Sequence, residues 1–108
     1  MTGVITGVSV SHTLATVEEV ESAAPEDPSA AAQRLAARSG VDESVVLATC
    51  NRAEAYVVTD AAADGREALA DFAPEVREGA VTQLDHEGSI RHLMRVASGL
   101  ESLVLGED

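Results

Sequence analysis

The stretch VVLATCNRAEAYVV, residues 45–58, is the strongest indication of the fold, because it holds two β-prone runs separated by a short polar segment. The first run, Val45 to Thr49, is apolar and rich in β-branched side chains, which is typical of a buried strand. The second run, Ala55 to Val58, has the same character and predicts another strand. The residues between them, including Cys50 and Arg52, interrupt or bend the chain. The stretch therefore predicts a hairpin-like pair of strands around Cys50.

The segment before this pair predicts one strand and one helix. Residues 4–10 are β-branched and alternate loosely, which favours a first strand, and an acidic loop is expected to follow it. Asp27 followed by Pro28 matches an N-cap and a proline in the first turn of a helix. This helix is expected to run through Arg38 and to end at residues 39–40, Ser-Gly.

The segment after the pair predicts two more helices and a strand. Asp64 with Glu67 resembles a capping box, and Pro74 closes that helix. Residues 81–84 predict a short strand, residues 89–98 predict a helix from the spacing of their apolar side chains, and Gly99 is expected to end it. The order β-α-β-β-α-β, with an additional C-terminal helix, is that of a ferredoxin-like α+β sandwich.

Composition favours one compact acidic domain of 108 residues with a net charge of −12. All seven cationic side chains are arginines, so Schiff-base chemistry on a lysine is excluded. A net negative charge argues against a simple nucleic-acid-binding surface, which would normally be basic. It suits a protein that works at high salt, where electrostatic repulsion is screened. We expect a halophilic source; the alternative is a merely acidic, highly soluble domain. The chain has neither an apolar run of membrane-spanning length nor a basic start typical of a signal peptide, so a cytoplasmic location is expected.

Cys50 is the single cysteine of the chain, so no intrachain disulfide is available to it. A working thiol nucleophile needs a cation or oriented donors nearby, because an unperturbed thiol ionises with a pKa of roughly 8.5. Arg52 supplies such a charge two residues away. The alternative interpretation is that Cys50 is a small buried hydrophobic residue, which is a common role for a lone cysteine.

Two blocks of sequence point to a known family. Residues 49–56, TCNRAEAY, resemble the S/T-T-C-N-R-T/A-E-x-Y signature of glutamyl-tRNA reductases, and residues 92–107, HLMRVASGLESLVLGE, are similar to a second segment of that family nearly residue for residue. Weaker similarities include His12 and Ala15, which match the family's opening motif, and residues 86–88, His-Glu-Gly. Together these similarities cover almost the whole chain.

The resemblance implies an NADPH-dependent oxidoreductase of tetrapyrrole biosynthesis, of which residues 1–108 form the N-terminal catalytic domain. Cys50 would accept the glutamyl group of glutamyl-tRNA(Glu) as a thioester, which NADPH reduces to glutamate-1-semialdehyde. His92 is implied as a second catalytic residue. The substrate-binding residues that the resemblance implies are Thr49, Asn51, Arg52, Ser102, Glu107 and Asp108. Asp108 stands where the family usually has proline, which puts its role in doubt.

The resemblance also implies partners beyond this segment. NADPH would be bound by another domain, since no glycine-rich nucleotide loop occurs in the sequence. The full-length enzyme would form a homodimer through C-terminal helices and channel its product to glutamate-1-semialdehyde aminomutase. Because the chain stops just after Leu-Gly-Glu, we expect an excised catalytic domain without the NADPH-binding and dimerisation domains.

Other interpretations stay open from the residues alone. His92 lies in a predicted helix next to Leu93 and Met94, and a semi-buried structural histidine is an alternative interpretation of it. A zinc site is not expected, because no histidine or cysteine pair has the short spacing of a structural zinc motif. A non-catalytic ferredoxin-like ligand-binding or regulatory module is one alternative function. A stand-alone cysteine-dependent hydrolase using Cys50 and His92 is another.

Overall fold

Four strands form one antiparallel sheet in the order β2-β3-β1-β4. The computed structural model describes residues 3–106, with side chains described up to residue 98. The strands are β1 (Val4–Ser11), β2 (Val41–Ala48), β3 (Arg52–Thr59) and β4 (Val81–Leu84). The helices are α1 (Val17–Ala23), α2 (Pro28–Ala36), α3 (Ala62–Leu69) and α4 (His86–Gly106), and a 3-10 turn covers Glu78–Ala80. The predicted combination of helices with a sheet is confirmed.

The hairpin around Cys50 is confirmed. Strands β2 and β3 pair antiparallel, with Ala48 opposite Ala53, and residues 49–51 connect them. Both strands are longer than the sequence predicted. Arg52, expected in the interruption between the strands, is the first residue of β3. The direction of its side chain is therefore determined by the alternation of the strand and not by a turn.

One face of the sheet carries the apolar core. Val8 lies opposite Ala55 and Val10 opposite Ala53, so these four side chains share a face. Helices α1, α2 and α3 supply the residues that pack there, including Val20, Ala23, Leu35, Ala68 and Leu69. The core is thus built from small aliphatic side chains.

Two helix predictions on this face are wrong. The expected acidic loop contains α1, because Thr16 and Glu19 form a capping box at its start and Val20 is buried in the core. Helix α3 begins at Ala62 and not at an Asp64 cap, and its N-cap residue, Ala61, makes no side-chain cap hydrogen bond. The helix predicted from Asp27 is confirmed: the Asp27 side chain accepts a hydrogen bond from the Ala30 backbone N–H.

Helix α4 crosses the opposite face of the sheet. It begins at His86 and continues through Gly99 to Gly106, so the predicted end at Gly99 is wrong. A glycine inside a helix costs only about 1 kcal/mol relative to alanine, which does not by itself stop a helix. The predicted apolar spacing does not mark the buried side of α4, because Ile90 and Met94 are exposed while Ser89 is fully buried. No helix in residues 3–106 is long and apolar enough to cross a membrane.

Candidate active site

Strand β3 presents polar side chains on the face that α4 covers. Successive side chains of a strand point to opposite faces, so Arg52, Glu54 and Tyr56 share one face, and the apolar residues between them point into the core. On β1, Ser9 lies directly opposite Glu54. The alternation of this strand therefore separates a polar cluster from the core.

Glu54 is the centre of this cluster, and its side chain is fully buried. Its Oε2 accepts hydrogen bonds from Ser9 Oγ at 2.6 Å and from His92 Nε2 at 2.6 Å, and Arg52 Nη1 donates to the same oxygen at 3.3 Å. Its Oε1 accepts a hydrogen bond from the Tyr56 hydroxyl at 2.8 Å. Both carboxylate oxygens thus have donors from the protein.

The hydrogen bonds keep Glu54 ionised. Burial alone would raise the pKa of this carboxyl, but the hydrogen bonds from Ser9, His92 and Tyr56 and the charge of His92 outweigh burial and hold the pKa below its usual range. The pKa of the Tyr56 phenol is shifted in the opposite direction. Burial, followed by the hydrogen bond to Glu54 and its negative charge, raises the pKa of Tyr56 far above its usual value, against the opposing charge of Arg52.

Helix α4 brings His92 to Glu54. The helix is fixed at its start by His86, whose Nδ1 accepts a hydrogen bond from the Ile5 backbone N–H at 2.9 Å, and by Asp85, which accepts from the Gly88 N–H at 2.7 Å. One turn on, Ser89 is buried and donates to the Leu84 carbonyl at 3.3 Å. The next turn carries His92, which retains about a quarter of its side-chain exposure, 25%. His92 therefore reaches the buried carboxylate while remaining accessible.

Cys50 lies in the hairpin connection and is exposed. Two hydrogen bonds shape this connection: the Thr49 N–H donates to the Arg52 carbonyl at 2.8 Å, and the Asn51 N–H donates to Thr49 Oγ1 at 3.2 Å. A third bond, from the His12 N–H to the Asn51 carbonyl at 3.0 Å, ties the connection to the end of β1. The alternative interpretation of Cys50 as a buried hydrophobic residue is therefore wrong.

The structure brings some of the predicted site residues together. Thr49, Cys50 and Asn51 are consecutive and exposed on the hairpin connection, while Arg52 and His92 meet at Glu54. Among the hydrogen bonds and ion pairs between described side chains, none joins His92 to Cys50. Of the three remaining predicted residues, Ser102 lies in α4 beyond the described side chains, and Glu107 and Asp108 lie outside the described residues.

Sequence reasoning missed three members of the cluster. Glu54 lies within the signature block of residues 49–56 but is not among the predicted site residues, and its side chain is 0% exposed. Tyr56 and Ser9 are predicted only as strand residues, without a role in the site. The available signal was the alternation Arg-Ala-Glu-Ala-Tyr, which places three polar side chains on one face of an otherwise apolar strand.

A cavity of about 530 Å³ lies away from this cluster. Its lining includes Val8, Leu69 and Phe72, which belong to the core face of the sheet, and it contains none of Cys50, Arg52, Glu54 or His92. The candidate site is thus an exposed hairpin beside a buried polar cluster and not this cavity.

Comparison with known proteins first defines the class of protein. The structure matches that of a glutamyl-tRNA reductase from Methanopyrus kandleri with a TM-score of 0.69 and 31% sequence identity, over 94% of this chain and 24% of that chain. The fold is therefore that of an α+β domain that makes up about a quarter, 24%, of the chain of this relative.

Sequence relatives then give the family. Glutamyl-tRNA reductases from Haloquadratum walsbyi and Haloarcula marismortui, both halophilic archaea, are 60% and 49% identical to this chain over 99% of its length. The family model for the glutamyl-tRNAGlu reductase N-terminal domain matches residues 8–108, and the chain belongs to this family. It spans about a quarter, 24%, of the length of these two relatives.

Proposed function

We propose that this chain is the glutamyl-accepting catalytic domain of a glutamyl-tRNA reductase, with Cys50 as the nucleophile. Family membership supports the substrate class, glutamyl-tRNA(Glu). The observation that carries the proposal is the placement of an exposed thiol on the connection that leads directly into Arg52. Arg52 is in turn held by a buried carboxylate, so a fixed positive charge lies next to the hairpin that carries Cys50.

The proposed reaction is acyl transfer from an ester to a thiol. The Cys50 thiolate attacks the aminoacyl carbonyl carbon, a C–S bond forms, and the C–O bond to the terminal ribose breaks. The departing ribose oxygen takes a proton from His92 or from water, and the proton of the thiol passes to solvent or to His92. The product of this domain is a glutamyl thioester on Cys50, which is a better hydride acceptor than the original ester.

Arg52 is the proposed partner of the substrate's side-chain carboxylate. Its contact with Glu54 uses Nη1 at 3.3 Å, and a guanidinium has five N–H donors, so donors remain for a second carboxylate. A fixed positive charge distinguishes glutamate from glutamine, because only glutamate brings an opposite charge. Thr49 and Asn51 are exposed on the same connection and supply further polar contacts to the glutamyl group.

NADPH does not fit the described residues. A dinucleotide site normally needs a glycine-rich turn between a parallel strand and a helix N-terminus. Here the sheet is antiparallel, and the three connections that lead from a strand into a helix, residues 12–16, 60–61 and 85, contain no glycine. We therefore assign NADPH, and the reduction it performs, to a part of the enzyme outside these residues.

The sheet also supports a finer fold assignment. We propose a ferredoxin-like sandwich, because the strand order is β2-β3-β1-β4, all neighbouring strands are antiparallel, and α1, α2 and α3 pack on one face. Helix α4 on the other face is then the additional element. Dimerisation, channelling to the aminomutase and a cytoplasmic location stay predictions.

Thioester formation tests the function directly. The 108-residue chain is mixed with glutamyl-tRNA(Glu) at high salt without NADPH, quenched in acid and weighed by intact mass spectrometry, with Cys50→Ser as the matched control. We expect one added glutamyl group on the parent and none on Cys50→Ser. Equal labelling of both proteins would reject Cys50 as the nucleophile. A folded parent that takes up no glutamyl group would instead favour a ligand-binding module. Rapid multiple-turnover release of glutamate would favour a hydrolase.

A further inference from the structure

The two oxygens of Glu54 have different partners. Among the described residues, Oε1 accepts a hydrogen bond from the Tyr56 hydroxyl alone, whereas Oε2 accepts hydrogen bonds from Ser9, Arg52 and His92. Oε2 is therefore the oxygen that contacts Arg52 and His92, the two residues proposed to act on the substrate. A buried carboxylate with this division of partners can orient reactive side chains without touching the substrate itself.

The contact with Glu54 determines which nitrogen of His92 carries a proton. An ionised carboxylate accepts hydrogen bonds and donates none, so His92 Nε2, at 2.6 Å from Oε2, must carry a hydrogen. Arg52 Nη1 lies 3.5 Å from the same nitrogen and is also a donor, which means that the two groups converge on one oxygen rather than bond to each other. Cationic His92, whose charge helps to hold Glu54 ionised, carries hydrogen on both ring nitrogens, and when it gives up a proton while Nε2 stays bonded to Oε2, the nitrogen that becomes bare is Nδ1. Among the described residues, no hydrogen bond reaches this Nδ1.

We propose that Glu54 is a positioning residue that fixes His92 in the Nε2–H tautomer and so makes Nδ1 the nitrogen that exchanges protons with the reacting groups. The same carboxylate holds Arg52 by Nη1 and leaves the rest of the guanidinium for the substrate carboxylate. This inference rests on the proposed function for its consequence in catalysis. Its structural part, the tautomer of His92, is testable without any reaction.

Nuclear magnetic resonance of the 108-residue chain labelled with ¹⁵N-histidine reads the tautomer through the couplings between ring carbon-bound protons and ring nitrogens. The three histidines give an internal scale. His86 uses Nδ1 as an acceptor from the Ile5 N–H, so its neutral form also has hydrogen on Nε2. His12 is exposed and serves as the reference for a ring free to exchange tautomers. We expect neutral His92 to match His86. A match to His12, or hydrogen on Nδ1, would overturn the proposal.

Three variants distinguish an orienting role of Glu54 toward the His92 ring from a role in stabilising the fold alone. Glu54→Met keeps an unbranched chain of similar length but has no carboxylate, so His92 should move toward the mixed tautomers of His12. Glu54→Gln retains an oxygen acceptor and should keep the Nε2–H tautomer. Tyr56→Phe, the matched control, removes only the donor on Oε1 and should leave His92 unchanged. A folded Glu54→Met protein with the parent tautomer would refute the positioning role. If this variant does not fold, the parent and Glu54→Gln spectra still decide the tautomer.

The rate of Cys50 acylation by glutamyl-tRNA(Glu) links the tautomer to function. Misplacing a general acid–base group costs on the order of 100-fold in rate, so Glu54→Met should be slower by about that factor and Glu54→Gln should recover part of the loss. Equal rates in folded Glu54→Met and the parent would reject the catalytic consequence. If the parent itself is not acylated, the proposed function fails, whereas the tautomer result stands by itself.

Discussion

Raising the pH above 10 tests the buried hydrogen bond between Tyr56 and Glu54. Tyr56 is 2% exposed, and its pKa is raised by burial and then by the hydrogen bond to the Glu54 carboxylate and its charge. In the unfolded chain the phenol ionises near its ordinary pKa of 10.0. The folded state therefore holds this proton to higher pH than the unfolded state does, and alkaline pH favours unfolding.

The magnitude follows from proton linkage. Below pH 10 the phenol is protonated in both states, and its contribution to the free energy of unfolding is fully present. Above that pH the unfolded state binds up to one proton fewer, so the free energy of unfolding falls by up to about 1.4 kcal/mol per pH unit until the folded-state pKa is reached. Lysine ionisation does not contribute to the pH dependence in this range, because the chain has no lysine.

Tyrosinate absorbance and circular dichroism, recorded together during an alkaline titration, are the assay. The chain has one tyrosine and no tryptophan, so the absorbance reports Tyr56 alone. We expect tyrosinate to appear together with loss of secondary structure, and urea unfolding of Tyr56→Phe to lose the steep dependence on pH above 10. Tyrosinate that forms near pH 10 in a chain that is still folded would refute a buried, hydrogen-bonded phenol.

Three further predictions concern stability and are measured by urea unfolding. Gly7→Ala should destabilise the domain by about 1–3 kcal/mol, because the new Cβ would lie 2.5 and 2.6 Å from ring atoms of the buried Tyr56; unchanged stability would contradict this packing. Gly65→Ala should also destabilise it, although alanine favours a helix by about 1 kcal/mol, because the new Cβ would overlap Thr6; a net gain in stability would show that Thr6 has room to move. Below pH 4.5 the free energy of unfolding of the parent should fall by up to about 1.4 kcal/mol per pH unit through Glu54, because the folded-state pKa of this carboxyl is lowered. The free energy of unfolding of Glu54→Gln should fall less steeply. Equal acid sensitivity of the two proteins would argue against an ionised Glu54 in the folded state.

Local signals explain which elements could be predicted. The hairpin and the helix that starts at Pro28 were recognised because their signals, apolar runs around a polar tetrad and an Asp-Pro cap, lie in adjacent residues. Helix α1 was missed although Thr16 and Glu19 form a capping box, since its seven residues carry many charges and only Val20 and Ala23 are buried. The predicted end of α4 at Gly99 is wrong because glycine, although common just after a helix, is also tolerated inside one, and α4 continues to Gly106.

The strand pair around Cys50, the acidic lysine-free composition and the resemblance to glutamyl-tRNA reductases can all be read from the chain, because each depends on neighbouring residues or on composition. The burial and ionisation of Glu54 follow from the tertiary structure alone. Besides its strand neighbours Arg52 and Tyr56, its donors are Ser9, 45 residues earlier, and His92, 38 residues later. A carboxylate is exposed by default, and it is stable inside a domain only when distant elements bring donors to it. Such contacts depend on how β1 and α4 pack on β3, which no local pattern specifies.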